Sequence, residues 1–377
     1  MSLFNVYPLF DITLVKAQDV FVYDKNGTKY LDLYGGHAVI SIGHSHPNYV
    51  NNLSEQLNNI GFYSNSIQNP LQERLAEKLT KLSGTKDYQL FLCNSGAEAN
   101  ENALKLASFH TNKKKVIAFK NSFHGRTSAA VAATDNIKII APINAQQEVE
   151  FFDFGDLESV GKALQKNDVC AVILECIQGV GGLDESTTIF YQGLSKLTKQ
   201  FNVLFIADEV QSGFGRTGDF FAFQKHQITP DIISIAKGMG NGFPVGGILI
   251  HPEIKASFGL LGTTFGGNHL ACMASLTVLN VLERENLMQN AKEMSAYFIE
   301  KARSLPKLKT IKGRGLMLGL EFDFPIAALR KKLIYEHHIF TGSSKNHNLL
   351  RILPPLTIQK EHIAKFFEAL KAELISS

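Results

Sequence analysis

From residue 89 onward the chain repeats one pattern: a short apolar run, a turn of glycine or polar residues, then a stretch of helical periodicity. The runs at 89–93, 115–120, 169–175, 203–207, 231–236 and 245–250 read as strands, and 97–110, 156–165 and 187–201 as helices. Strands that alternate with helices build an α/β fold around a mostly parallel sheet covered by helices on both faces. In such sheets ligands bind beyond the carboxyl ends of the strands, so the residues at those ends carry the functional information.

Two ends stand out. The run 203–207 stops at Asp208 and the run 231–236 stops at Lys237, each with glycines shortly behind. A charge at the end of a buried strand must be handed to a partner, because desolvating it alone costs several kcal/mol or shifts its pKa. Asp208 and Lys237 therefore call for a shared ligand or for each other.

The flanks are organised differently. Residues 20–34 read as a hairpin about the Asp24–Gly27 turn, followed by helical periodicity over 48–59 and 68–82. Beyond Gly267, residues 269–303 read as one or two helices. A strand at 316–322, a helix at 326–337, the run 349–353 and a final helix at 359–374 complete a smaller α+β region. The expected division is a large domain over 48–267 and a small one made of 268–377 together with the N-terminal segment 1–47.

With 38 Lys+Arg against 35 Asp+Glu, net charge is only +3, and the basic residues are scattered apart from Lys113 to Lys115, which excludes nucleic acid as the expected partner. No leader-like N-terminus and no long uninterrupted apolar window is present, so no membrane partner is expected and the compartment read from sequence is cytoplasmic. Cys93, Cys170, Cys176 and Cys272 form no Cys-x-x-Cys pair, and no disulfide or metal site is expected. His44 and His46 lack a third ligand nearby and read as turn and packing residues.

Four further stretches carry chemistry. After the strand at 89–93, Ser95 and Glu98 have capping-box spacing, which opens a helix with Gly96 and Ala97 in its first turn. Free N–H groups, the positive dipole end and small side chains suit that turn to a phosphate. Asn121 to Thr127 place Phe123, His124, Gly125 and Arg126 on one loop, where a flat ring can be stacked and a carboxylate clamped. The strand at 169–175 ends on Glu175, ahead of the glycine-rich Gln178 to Gly182. Gly213 to Gly218 match G-x-G-x-x-G, the mark of a nicotinamide dehydrogenase, but these glycines lie five residues beyond the strand and open no helix, which disfavours that class. A lysine, a carboxylate, a phosphate-binding helix turn and an aromatic loop, each at the end of a strand, are the set that pyridoxal 5′-phosphate requires.

On Asn94-Ser-Gly-Ala-Glu-Ala, Phe123-His-Gly-Arg-Thr, Asp208-Glu-Val-Gln-Ser-Gly-Phe-Gly-Arg-Thr-Gly, Ala236-Lys-Gly-Met-Gly, Thr263-Thr-Phe-Gly-Gly-Asn and Arg351-Ile-Leu-Pro-Pro-Leu, the chain resembles the class III, ornithine-type aminotransferases of fold type I, nearest their acetylornithine and succinylornithine branch. The resemblance runs from about Tyr7 to the C-terminus. It implies that Lys237 holds pyridoxal phosphate and shuttles the proton, that Asp208 pairs with the pyridine nitrogen, that Phe123 stacks on the ring and that Gln211 approaches its phenolic oxygen. Ser95, Gly96 and Ala97 would hold the phosphate, with Thr264 lent to the neighbouring subunit of a homodimer with shared sites. Arg126 would clamp the α-carboxylate of the acylated ornithine and Arg351 that of glutamate, with Tyr7 and His37 at the substrate and Glu175 steadying the ring side. The implied reaction passes a terminal amino group from an acylated ornithine to 2-oxoglutarate, giving glutamate, in arginine biosynthesis. Ornithine δ-aminotransferase and 4-aminobutyrate aminotransferase share nearly all these motifs.

Two positions depart from the family pattern. Val180 stands where Gln-Gly-Glu is usual, and His37 where an aliphatic residue or a tyrosine is usual. Both changes are expected to make the pocket more welcoming to negative charge. They motivate N-succinylornithine as the donor, with N-acetylornithine the family default.

Overall fold

The computed structural model describes residues 3 to 376. In chain order it comprises β1 (Leu14–Gln18), β2 (Phe21–Asp24), β3 (Lys29–Asp32), the irregular turn α1 (Gly35–Ala38), α2 (Pro47–Asn59) and α3 (Pro70–Ser83). The central region runs β4 (Gln89–Cys93), α4 (Gly96–Thr111), β5 (Lys115–Phe119), α5 (Ser128–Ala132), β6 (Val149–Phe152), α6 (Leu157–Leu164), β7 (Val169–Leu174), α7 (Thr188–Gln200), β8 (Leu204–Asp208), β9 (Ile232–Ile235) and β10 (Gly246–Ile250). It is followed by α8 (His269–Arg284), α9 (Leu287–Ala302), β11 (Leu308–Arg314), β12 (Met317–Phe322), α10 (Ala327–Tyr335), β13 (Ile339–Phe340), β14 (Leu349–Ile352) and α11 (Lys360–Ser376).

The main sheet has the order β4-β10-β9-β8-β7-β5-β6. β10 runs antiparallel to both neighbours, and the pairs from β9 through β6 are parallel. Every residue of β7 and β8 is buried, because a strand covered by helices on both faces needs an unbroken apolar run. Each fully buried Ile, Leu or Phe there contributes about 1.5–3 kcal/mol of transfer free energy. This rigid centre holds the carboxyl ends of β7, β8 and β9 side by side, at Glu175, Asp208 and Lys237.

Four strands carry no strand signature in the sequence: β1, β6, β11 and β13. All four lie at sheet edges, with β13 pairing parallel to β3 and so joining the C-terminal part of the chain to the N-terminal hairpin. Edge strands are partly solvated, so β1 and β11 show neither an apolar run nor a clean alternation. Residues 269–303 form two helices, α8 and α9, broken at Asn286, whose φ of 51° is left-handed. Local signals otherwise fix the ends of elements well. Asn69 caps α3 through Leu71 N, Pro70 opens it, and Gly84 at φ 69° closes it. The β2–β3 loop is held by Asp24 Oδ1, which accepts from Asn26 N at 2.8 Å and Thr28 N at 2.9 Å.

His44 and His46 are absorbed by contacts of their Nε2 atoms with Asp32 and Glu285, both at 2.9 Å. The four cysteines are buried thiols. No helix among the described residues is long and apolar enough to cross a membrane.

Candidate active site

A cavity of about 350 Å³ opens at the carboxyl ends of the central strands. Ser95, Gly96, Ala97, Phe123, Arg126, Glu175, Asp208, Gln211 and Lys237 all line it, so nine of the residues singled out in the sequence converge on one space, together with Val180.

Asp208 is the fixed point. Its Oδ2 lies 2.7 Å from His124 Nδ1 and accepts from Asn100 Nδ2 at 2.7 Å, and its Oδ1 accepts from Val210 N at 3.1 Å. Three partners lock both carboxylate oxygens, so the group is aimed before any ligand arrives. Sequence reading passed over Asn100. The available signal was an amide between Ala99 and Ala103 on the buried face of α4.

Lys237 follows β9 with a left-handed backbone, φ 47°, which a residue with a Cβ adopts only under compulsion. That compulsion comes from the loop behind it. Asn241 Oδ1 accepts from Ser41 N at 2.8 Å and Ile42 N at 3.1 Å, its Nδ2 donates to Gly43 O at 2.9 Å, and Ser41 Oγ donates to Gly238 O at 2.7 Å. Tyr49 Oη donates to Gly240 O at 2.5 Å. Among the described residues the Lys237 amine itself has no hydrogen bond or ion pair. Burial lowers its pKa, against the opposing pull of Asp208 and Glu175.

Glu175 is buried and accepts from Phe123 N and Gly179 N, each at 2.9 Å. Burial, and after it the nearby Asp208 charge, raises its pKa to about 7. Gly179, four residues on, packs against Gln211: a Cβ there would stand 1.9 Å from Gln211 Oε1, so any side chain would displace the glutamine. Gln211 Nε2 donates to His37 O at 3.2 Å, which leaves Oε1 buried and, among the described residues, without a partner.

The first turn of α4 completes the floor. Ser95 Oγ accepts from Glu98 N at 3.1 Å, as the capping spacing predicts, but Glu98 Oε2 reaches past Ser95 to accept from Asn94 N at 2.9 Å. The N–H groups of Gly96 and Ala97 belong to a first turn that offers no intrahelical acceptor. Gly96 packs on Val210, whose Cγ1 would meet a Cβ at 2.5 Å.

The remaining expected residues lie outside this lining. Arg351, on β14, is buried; its Nη1 donates to Gly179 O at 2.7 Å and its Nε to Ser343 O at 2.5 Å, with no carboxylate partner among the described residues. His37 is exposed in the chain by itself and bonds to Tyr34 Oη. Partial burial, then Arg351, Lys237 and Arg330, push its pKa down to about 4, so it is a neutral imidazole at pH 7 and adds no charge attractive to anions. Thr264 is exposed in the loop between β10 and α8, and Tyr7 is 74% exposed in the segment before β1. Neither reaches this chain's own cavity.

Gly213 to Gly218 form a connector with no helix at its start. Its buried Arg216 donates to Leu316 O and Ile40 O, both at 3.2 Å, and also to Pro354 O. The loop therefore ties the sheet to the C-terminal and N-terminal segments, and burial lowers the Arg216 pKa to about 9.

The arrangement fits pyridoxal phosphate: an unpaired amine, a pre-aimed carboxylate, an aromatic side chain, an unpartnered amide oxygen and a helix turn rich in free N–H donors. Comparisons with known proteins agree. The profile of the family described as Aminotransferase class-III matches residues 5–374. The chain is 41% identical to the acetylornithine aminotransferase of Aquifex aeolicus, over 98% of each chain, and 40% identical to that of Bacillus subtilis, over 98% of this chain and 97% of the relative. Among solved structures, an ornithine aminotransferase from Toxoplasma gondii, described with pyridoxal phosphate at partial occupancy in its active site, superposes with a TM-score of 0.91 at 27% identity, covering 99% of this chain and 92% of that one. The chain belongs to the pyridoxal-phosphate-dependent class-III aminotransferases, of fold type I.

Proposed function

We propose that this enzyme moves the terminal amino group of N-acetylornithine to 2-oxoglutarate, giving N-acetylglutamate semialdehyde and glutamate. The observation that carries the reading is the pairing at the ends of β8 and β9: a carboxylate held by three partners beside an amine that, among the described residues, is held by none. The naming of the Aquifex and Bacillus relatives supports the acetyl donor.

When bound, pyridoxal phosphate supplies an electron sink that stabilises negative charge on the carbon losing its proton. Asp208 would keep the pyridine nitrogen protonated, and its three hydrogen bonds hold it aimed for that one task. Lys237 Nζ would take the proton from the carbon bearing the amino group and deliver it to the cofactor carbon that receives the amine; a lowered pKa favours the neutral form that the first of these transfers needs. Phe123 would stack against the ring, Gln211 would approach its phenolic oxygen through the side-chain amide, and Glu175 holds the Phe123 backbone. Ser95, Gly96 and Ala97 receive the phosphate at the positive end of α4.

Arg126 clamps the donor's α-carboxylate and Arg351 that of glutamate; Arg351 donates to carbonyl oxygens and lies 5.9 Å from the Tyr34 ring centroid, with no carboxylate partner among the described residues, which leaves its charge for an anion. His37 and Tyr7 lie on the substrate side. Residues 48–267 form the cofactor-holding domain and 1–47 with 268–377 the smaller one, a division supported by the β3–β13 pairing. The active unit is a cytoplasmic homodimer in which Thr264 serves the neighbouring subunit's phosphate. Support comes from the exposed Thr264 loop, from exposed Phe62, Tyr63, Phe258 and Phe265, and from four free thiols that suit a reducing compartment.

The test is kcat/KM for N-acetylornithine, N-succinylornithine and ornithine with 2-oxoglutarate as acceptor. Preference for the acetyl compound is expected. A clear preference for the succinyl compound transfers the assignment to that donor, and preference for free ornithine ends it.

A further inference from the structure

Arg126 is exposed and, among the described residues, makes no ion pair, so its own side chain does not explain how it is held. The backbone around it is pinned from α4. Gly125 lies so close to that helix that a Cβ would stand 2.7 Å from Ala97 Cβ, and its φ of 140° already excludes most side chains. Beyond Arg126, the start of α5 lacks the cap expected from Thr127, whose side chain accepts no bond from the helix. Glu101, one turn along α4 from Ala97, takes that place. Its Oε2 accepts from Thr127 Oγ at 2.7 Å, Ala129 N at 2.9 Å and Ala130 N at 3.0 Å, and its Oε1 accepts from Ala129 N at 3.0 Å.

We infer that Glu101 is the positioning residue for Arg126: a carboxylate borrowed from the phosphate-binding helix that fixes the arginine at a set distance from the cofactor. Charge-assisted bonds are shorter and roughly twice as strong as neutral ones. A carboxylate offers acceptors only, which matches a cluster made up of donors. A glutamine at this place keeps one oxygen but turns an NH2 group toward N–H groups, so part of the cluster loses its acceptor. The 127–130 backbone then relaxes, and Arg126 moves with it. Because the same helix opens with Ser95, Gly96 and Ala97, one rigid element sets both ends of the substrate: where the cofactor sits and where the carboxylate is gripped.

The inference rests on the role proposed for Arg126, and the test separates the two. Glu101→Gln, Arg126→Ala and the double variant are assayed with N-acetylornithine and with N-acetyl-1,4-diaminobutane, the same terminal amine without a carboxylate. Glu101→Gln is expected to raise KM for N-acetylornithine on the order of tenfold, as a modest misplacement of a clamp does. Its kinetics with the carboxylate-free amine and the absorption of the bound cofactor stay at wild-type values. In the Arg126→Ala background, Glu101→Gln adds nothing further. An equal loss with both amines, or a loss of cofactor, reduces Glu101 to a structural residue and overturns the inference. Wild-type kinetics for Glu101→Gln overturn it as well. If Arg126→Ala itself leaves the N-acetylornithine KM unchanged, the clamp role fails and the inference falls with it.

Discussion

The ends of β8 and β9 lie side by side and are built in opposite ways. Asp208 ends a fully buried strand and is held through its side chain by Asn100, His124 and the Val210 N–H. Lys237 ends the next strand and is held through its backbone alone: Asn241, Ser41 and Tyr49 fasten the loop behind it, while the amine is unrestrained. A group that must keep one protonation partner is fixed at its functional atoms. A group that must carry a proton between atoms is fixed at its root and left with four rotatable carbons. Preorganisation here means different things at the ends of two adjacent strands, and the difference follows from the chemistry each residue performs.

Removing the mobile member has the largest effect. Lys237→Ala should lower kcat by about 10³–10⁴-fold, the upper part of the roughly 10²–10⁴-fold range typical of a lost general acid–base group. Cofactor remains bound by the other contacts, but borohydride no longer fixes it to the chain, which mass spectrometry of the treated protein reads directly. Asp208→Asn should cost less, on the order of 10²-fold in kcat. The amide is nearly isosteric, and its oxygen still accepts from two of the three partners, but it brings no charge to the pyridine nitrogen. Should the two variants lose activity equally with the same spectra, the contrast between a fixed and a mobile group is wrong.

Much of this contrast is legible in the sequence, because apolar runs interrupted by a lone charge mark the strand ends whatever the surroundings. Asp208, Lys237 and Glu175 are found in that way, and the first turn of α4 by the capping-box spacing of Ser95 and Glu98. What fastens them is not legible, since it comes from distant parts of the chain. Ser41 and Asn241 are two hundred residues apart, and Asn100 meets Asp208 only once α4 lies across β8. Arg216, inside a motif that mimics a nucleotide loop, acquires its meaning from carbonyls at 40, 316 and 354. The four missed strands follow the same logic, because an edge strand owes its existence to its neighbour more than to its own pattern. His37 shows the converse error: the residue type suggested positive charge, and the cations around it remove that charge.

The backbone anchoring of Lys237 can be tested without touching the lysine. Asn241→Ala removes three buried hydrogen bonds and places a Cβ-bearing residue without amide support at φ 47°. The expected loss is about 3 kcal/mol of stability, from buried backbone groups left unpaired, measured by urea unfolding. Below that denaturation threshold kcat should fall while KM for both substrates holds, because the lysine is displaced and the clamps are not. A change in KM alone would place Asn241 with the substrate contacts.

The smallest effect is one of slope, and it probes the charges that both strand ends share. Burial raises the pKa of Glu175, and separately of Glu209, from 4.5 to about 7. Between those values the folded protein binds protons that the unfolded chain has released, so stability falls as pH rises across the window. Each carboxylate contributes at most about 1.4 kcal/mol per pH unit. Glu175→Gln should therefore make the slope of unfolding free energy between pH 5 and about 7 shallower without flattening it, because Glu209 still titrates there. An unchanged slope means that Glu175 is already charged below the window. The same substitution reaches Lys237: Glu175 is one of the two carboxylates that hold the lysine's pKa up against burial, so its loss lowers that pKa further. The acid limb of the kcat profile then moves to lower pH in Glu175→Gln, while the Asp208 contacts stay as they are. A limb that does not move would show that the mobile amine is coupled to Asp208 alone.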